Sequence, residues 1–339
     1  MRRKYDGQRG ITGESGFLNI CGIHIRFRLF FYSFGVVIIY NYLYILIGCI
    51  LSLLIGNMKK HSLLTRGINA LVRFFGRFSD KLFHRNKLGE LFLIFWLELI
   101  ICGITLMILM FTKGLLLYPL AYILLVFGCM NLKRTADLGR AVYRSLHQGN
   151  IKNAKIYLRA MSGKDTQAYS VQEILSETVA AISKNTVSGM IAPIFCTVLG
   201  GPLFAMFYKV LFQIDKYLNL QKGIVCFLLK VILYLPDKIT ALFFWVSGFL
   251  LGSKLKKTIK TTFALRKMKK GIQYPLALCA AESVLAVSFD SPNEKPPKLS
   301  DVKKSITMGY MSAVMGALLI ASVFEIIKFL IWSLIFHEG

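Results

Sequence analysis

The feature that most constrains this chain is a series of long apolar runs separated by short, strongly basic stretches. A helix needs about 20 predominantly apolar residues to cross the hydrocarbon core of a bilayer. The clearest runs are Phe30 to Ile55, Leu91 to Phe111, Leu115 to Met130 and Met311 to Phe336. Met190 to Leu211 and Ile224 to Leu251 are also apolar, but Pro193, Pro202, Lys230 and the group Pro236, Asp237, Lys238 interrupt them, which predicts broken or re-entrant segments. With 55% of the residues hydrophobic, the chain reads as an all-α polytopic membrane protein with bilayer as its main solvent.

The formal charge of +25 would suit nucleic acid, yet the basic residues lie between apolar runs and form no aromatic-interleaved basic domain, so a nucleic-acid partner is not expected. Basic residues concentrate in short loops retained on the cytoplasmic side. Residues 57–88 carry Lys59, Lys60, Arg66, Arg73, Arg77, Lys81, Arg85 and Lys87 against Asp80 alone. Residues 254–270 carry Lys254, Lys256, Lys257, Lys260, Arg266, Lys267, Lys269 and Lys270 with no acid. Both stretches are expected in the cytoplasm, where anionic headgroups attract each cation by about 1 kcal/mol. Membrane lipid is therefore an expected partner, and the cell membrane the expected location. No short apolar core precedes Leu29, so no cleavable signal is predicted. A single crossing at Phe30 to Ile55 would place the basic tail 1–29 outside, against the charge rule, and the two demands conflict.

Between the membrane runs lies a polar stretch with helical periodicity. Leu138, Ala141, Val142 and Leu146 recur at three- and four-residue steps, Gly149 ends that helix and Asn150 can cap the next, Ile151 to Met161. A third helix is predicted from near Ser170 to Ser183, with Gln172 and Glu173 in its first turn. Between the last two, Ser162 to Thr166 places a cation, a carboxylate and a hydroxyl on one loop, where Asp165 or Thr166 reads as a helix cap. The expected organisation is a tail, membrane helices and basic loop over 1–131, a cytoplasmic helical segment over 132–188, broken or re-entrant segments over 189–253, a basic cytoplasmic segment over 254–308 and a final membrane helix over 309–339. The seven cysteines are scattered without a CxxC pair and read as packing residues; the five histidines are equally dispersed, and His61 and His84 sit in a basic loop that repels metal. Glu325 and Lys328, three apart near a membrane end, read as a mutual pair.

An ordered set of motifs then points further. Leu138-Gly139-Arg140-Ala141-Val142 is followed by Gly163-Lys164-Asp165-Thr166 and by Asn185-Thr186-Val187-Ser188-Gly189-Met190-Ile191-Ala192-Pro193-Ile194-Phe195. Gly200-Gly201-Pro202, Tyr208-Lys209, Ile214-Asp215 and Leu235-Pro236-Asp237-Lys238-Ile239-Thr240-Ala241-Leu242 come next in order. These resemble, in sequence, the G-R-D-T turn, the E-N-T-x-D-G-x-x-A-P-L-F block, the G-G, Y-R and L-D signatures and the I-P-A-R-L-T-A-L block of the CobD/CbiB family of cobalamin-biosynthesis membrane proteins. The resemblance covers about two thirds of the chain.

The resemblance implies an ATP- and Mg2+-dependent amide ligase, adenosylcobinamide-phosphate synthase, that joins aminopropanol (phosphate) to a propionate of the corrinoid (adenosyl)cobyric acid. It implies Asp165, Asn185 and Asp215 as catalytic residues, with Asp165 and Asp215 also the candidate metal ligands. Lys164, Thr166, Lys209 and Lys238 are the implied cofactor-binding residues; the three lysines stand at family arginines. Lys184 stands at a family glutamate, Ala180 at another, Ser188 at an aspartate, and Leu229 and Lys230 at paired aspartates. Glu173 and Glu177 lie one turn apart on the preceding helix and offer substitute carboxylates. Lysines in place of acids reverse the field a cation meets. A second reading is therefore a non-catalytic relative of AmpE-like kind that binds other membrane proteins or signals, with possible self-assembly, and a transporter is a third.

Overall fold

A computed structural model describes residues 40–320 apart from 56–62, 84–86, 116, 219–222, 270–274 and 290–295, with 322–323, 326–327 and 330 beyond. The basic tail, the start of the Phe30 run, His61, His84 and the Glu325–Lys328 pair lie outside the described residues. The chain divides into two compact units, Met1–Leu43 with Glu325–Gly339, and Tyr44–Phe324. In the first, residues 40–43 are helical. The second holds everything that shapes the site.

All regular structure among the described residues is helical. After α1 (Tyr40–Leu54) come α2 (Leu63–Phe83), α3 (Lys87–Gly114) and α4 (Tyr118–Cys129). Residues 88–113 of α3 form a membrane-length apolar helix, and only 28% of that window is buried, so most of its surface is left to face lipid. Its neighbour α4 has 12 residues, about 18 Å of rise, short of the roughly 30 Å a crossing needs. Pro119 starts α4 early in its first turn, where a missing N–H costs nothing, which leaves the apolar run from Leu115 only partly helical.

The polar stretch folds as its periodicity requires, into α5 (Leu132–His147), α6 (Ile151–Ser162) and α7 (Val171–Thr186). The Asn150 side chain caps α6 by accepting from Asn153 N, and Gly163 closes it in the left-handed conformation (φ 75°). Ser170 opens α7 with a reciprocal capping box: Ser170 Oγ accepts from Glu173 N at 3.3 Å and Glu173 Oε2 from Ser170 N at 2.7 Å. The cap is thus Ser170, downstream of Asp165 and Thr166. These helices share one core with α9 (Ile224–Leu250), α11 (Leu276–Leu285) and α12 (Leu299–Met315), around Val142, Leu158, Ile174, Val179 and Phe244. A second core, around Val72, Leu93, Leu97, Tyr208 and Leu211, joins α2, α3 and α4 to α8 (Ala192–Leu218) and the start of α9.

A π-helical turn, Val187–Ile191, leads from α7 into α8. Helix α8 is not one rod. Gly200 (φ −137°) and Gly201 (φ 70°, ψ −167°) leave helical geometry just before Pro202, and Gly201 adopts a conformation essentially confined to glycine. A continuous helix would separate Ser188 from Tyr208 by about 30 Å. Instead Tyr208 Oη donates to the Ser188 carbonyl at 2.7 Å, so the chain reverses and its two arms lie side by side. The arm from Ser188 to Leu199 rises about 18 Å and continues the helix of α7. Val171–Leu218 as a whole is, with α3, one of the two described helices long and apolar enough to cross a membrane. By contrast α9 keeps its helical course through Pro236, with the Thr240 hydroxyl donating to the Pro236 carbonyl at 2.7 Å.

Candidate functional site

An open cleft of about 940 Å³ lies between the end of α7, the middle of α9, α10 (Leu255–Met268) and the start of α11. Lys184 and Ser188 form one wall, Lys230, Tyr234 and Asp237 another, and Phe263, Arg266 and Lys267 a third. Lys230, Tyr234 and Asp237 recur at helical spacing, so one face of α9 delivers all three. Lys269 also reaches the cleft, but both oxygens of the buried Glu282 accept from its Nζ at 2.8 Å, and Glu282 Oε1 accepts in addition from Phe289 N at 2.7 Å.

Among the described residues, the only carboxylate on the cleft wall is engaged. Asp237 Oδ2 accepts from Leu276 N at 2.7 Å and Oδ1 from Ala277 N at 3.0 Å, which closes the amino end of α11. Lys230, Arg266 and Lys267 form no ion pair among the described residues. The wall is therefore strongly positive, with aromatic and aliphatic surface from Phe263, Tyr234, Leu233 and Leu278 beneath it. Such a site takes an anion that carries an apolar or planar body.

Across Ser188, which lines both spaces, lies a small polar pocket of about 60 Å³ bordered by Asn131, Arg134, Asn185, Gln213 and Lys216. Partial burial lowers the Arg134 guanidinium from its ordinary value. The Gly163 turn approaches from outside: a Cβ on Gly163 would stand 3.8 Å from Lys216 Cε, beside the end of α8 that carries the half-buried Asp215. The structure thus brings Asn185 and Lys216 to one small pocket, with Gly163 beside Lys216, while Lys164, Asp165, Thr166 and Asp215 do not line it.

Within that cluster the anticipated residues have local work. Thr166 is 1% exposed and its hydroxyl donates to the Lys155 carbonyl at 2.9 Å. Lys164 Nζ pairs with Glu177 Oε2 at 2.9 Å, while Asp165 is exposed and its Oδ1 accepts from Gln167 N at 3.4 Å. Lys209, 2% exposed, lies apart in the second core: it donates to the Cys129 carbonyl at 3.1 Å and, with the Asn131 amide oxygen turned inward, to that oxygen at 2.6 Å. Lys238 sits with its Nζ 3.7 Å from the Tyr234 ring centroid.

Among the described residues no three His, Cys, Asp or Glu stand close enough to hold a metal. Asp165 and Asp215 supply no Mg2+ cradle, and Glu173 and Glu177, the possible substitutes, are engaged in the capping box and the Lys164 pair. Burial, chiefly, raises the Cys279 thiol to about 11, so it stays protonated at neutral pH, consistent with a packing role. Arg266, Lys267 and Phe263 were missed as site residues because their sequence context is that of a basic loop. Lys230 carried a usable signal, a lone charge inside an apolar run.

The chain belongs to the CobD/Cbib protein family, whose model matches residues 45–222. It is similar to the cobalamin biosynthesis protein CobD of Streptococcus sanguinis, 23% identical over 225 residues that cover 60% of this chain and 71% of the relative. The protein of the same name from Clostridium acetobutylicum is 27% identical over the same length and coverage. That of Listeria monocytogenes serotype 4b is 22% identical over 304 residues, 81% of this chain and 96% of the relative. At this identity the chain is a divergent member, a cobalamin-biosynthesis protein of membrane type. No solved structure matches it.

Proposed function

We propose that the chain joins aminopropanol (phosphate) to a propionate side chain of adenosylcobyric acid at the expense of ATP, the adenosylcobinamide-phosphate synthase reaction. The observation that carries the reading is the cationic cleft, built where motifs of an amidating family converge and furnished with apolar surface beside its charges. In this reaction a propionate oxygen takes the terminal phosphoryl group of ATP and ADP leaves. The amine nitrogen then attacks the acyl carbon, phosphate departs and the nitrogen loses a proton. ATP, the propionate, the acyl phosphate and the leaving phosphate are all anionic, so Lys230, Arg266 and Lys267 hold phosphates and steady the charge that develops at the acyl carbon. Asn185, on the wall of the small pocket, orients the amine, and Asp165 and Asp215 are the acids under test at the turn and the α8 terminus. No step is assigned to Mg2+, because the donor set does not fit one.

The chain is placed as a multi-pass protein of the cell membrane, with α8 re-entrant and the cleft facing the cytoplasm, where ATP is supplied. A non-catalytic relative is the second reading, favoured by the lysines at family acids on the cleft wall. Complementation of a bacterial strain lacking its own cobinamide-phosphate synthase, fed cobyric acid, separates the two. Growth with the wild type but with neither Asp165→Ala nor Asp215→Ala, at equal membrane expression, supports the ligase and its site. No growth from a well-expressed, correctly inserted wild type favours the non-catalytic relative.

A further inference from the structure

We infer that the cleft binds a phosphate-bearing anion directly through Lys230, Arg266 and Lys267, with Lys184 on the facing wall, and with no divalent metal between protein and phosphate. Two independent observations lead there. The first is the charge of the wall: among the described residues its one carboxylate, Asp237, accepts from two backbone amides, and the buried Glu282 is paired with Lys269. A divalent cation entering the cleft meets like charge on three walls and no open carboxylate, whereas a phosphate ester meets ammonium and guanidinium donors. The second is the placement of the cations. Lys230 comes from α9 and Arg266 and Lys267 from α10, so two separate helices bring positive charge to one open cavity.

The shape narrows the ligand. Arg266 and Lys267 are adjacent on α10 and face Lys230 on α9, which suits a ligand with more than one phosphate charge. Phe263, Tyr234 and Leu278 offer a surface on which a planar ring can stack. A nucleoside di- or triphosphate free of metal meets both demands, and the phosphate of an anionic lipid headgroup meets the first.

This inference rests on the ligase reading for the choice of nucleotide probe, and its test is separable from growth. Full-length protein in neutral nanodiscs is titrated with ATP and with pyrophosphate, in EDTA and in excess Mg2+, by calorimetry. The expected result is saturable binding in EDTA that weakens several-fold when Mg2+ masks the phosphate charge. Lys230→Glu should weaken pyrophosphate binding at least tenfold while the thermal midpoint without ligand stays put, and Lys230→Arg should retain it. Lys152→Glu, the same charge change on the exposed face of α6, should leave affinity within about twofold. Binding that requires Mg2+, no binding of either probe, or a Lys230→Glu protein that binds as tightly as wild type would overturn the inference. Repeating the titration in phosphatidylglycerol nanodiscs assigns the source: loss of pyrophosphate binding there upholds the phosphate chemistry and gives the site to a lipid headgroup. Metal-free binding without complementation leaves the anion site standing and removes the ligase; complementation with Mg2+-dependent binding does the reverse.

Discussion

The turn Gly163–Thr166 and the α9–α10 cleft both collect polar side chains, and they use them differently. In the turn every group is engaged locally: Lys164 by Glu177, Asp165 by Gln167 N, Thr166 by the Lys155 carbonyl. In the cleft Asp237 and Lys269 are tied into the scaffold, whereas Lys230, Arg266 and Lys267 line open volume and form no ion pair among the described residues. The contrast teaches that the groups of a motif can be taken up by packing while cations outside the motifs, Arg266 and Lys267, line the open cavity. Its sharpest test comes from Lys269, the cleft lysine paired with the buried Glu282.

Glu282→Gln should have the largest effect. Glu282 is 1% exposed and accepts three hydrogen bonds, two of them from Lys269. Removing one partner of a buried pair typically costs about 3 to 5 kcal/mol; the amide keeps the shape and part of the bonding, so a loss of about 3 kcal/mol is expected in thermal or denaturant unfolding. The variant also releases a fourth cation into the cleft. If its folded fraction binds pyrophosphate no better than wild type, the division between tied and open cations is wrong.

Gly201→Ala follows in size. A Cβ there meets no atom within 4 Å, so any loss comes from the backbone conformation (φ 70°, ψ −167°) and not from crowding. The expected cost is about 2 kcal/mol, read as a lower unfolding midpoint. Unchanged stability would argue against the fold-back that brings Tyr208 to Ser188 and sets Asn185 beside the α8 terminus.

How much of this was legible beforehand depends on whether the signal was local. Gly149, Asn150, Gly163 and Ser170 announce helix ends through chemistry confined to a few residues, and α6 and α7 form as their patterns require. The all-α membrane character follows from apolar run length, and the family from ordered motifs. The cleft was not legible, because Lys184, Lys230 and Arg266 come from three helices whose convergence depends on packing far along the chain. The run Leu115 to Met130 shows the opposite failure: composition promised a crossing, but α4 begins only at Tyr118. Thr166 misled for a third reason. A hydroxyl in a turn is equally suited to cap a helix, bind phosphate or bridge backbone, and only its position 2.9 Å from the Lys155 carbonyl decides among them.

Thr166→Val should therefore lose about 1 kcal/mol, the net value of one hydrogen bond whose carbonyl partner is left behind, with anion affinity in the cleft unchanged. A stable Thr166→Val protein with weakened ATP binding would move the ligand toward the turn.

Lys164→Ala should have the smallest effect of all. The ammonium is half exposed and its partner Glu177 is 16% exposed, so solvent screens the pair and side-chain entropy opposes it; about 0.5 kcal/mol is the expected loss. That small number makes the variant informative, because a stable protein lets function be read without correction for folding. If the turn serves structure, Lys164→Ala supports growth in the complementation assay at wild-type rate and binds pyrophosphate as tightly as before. If the turn closes over substrate, growth falls while the unfolding midpoint holds. The second outcome would place part of the site at the α7 flank and make the turn and the cleft two halves of one surface.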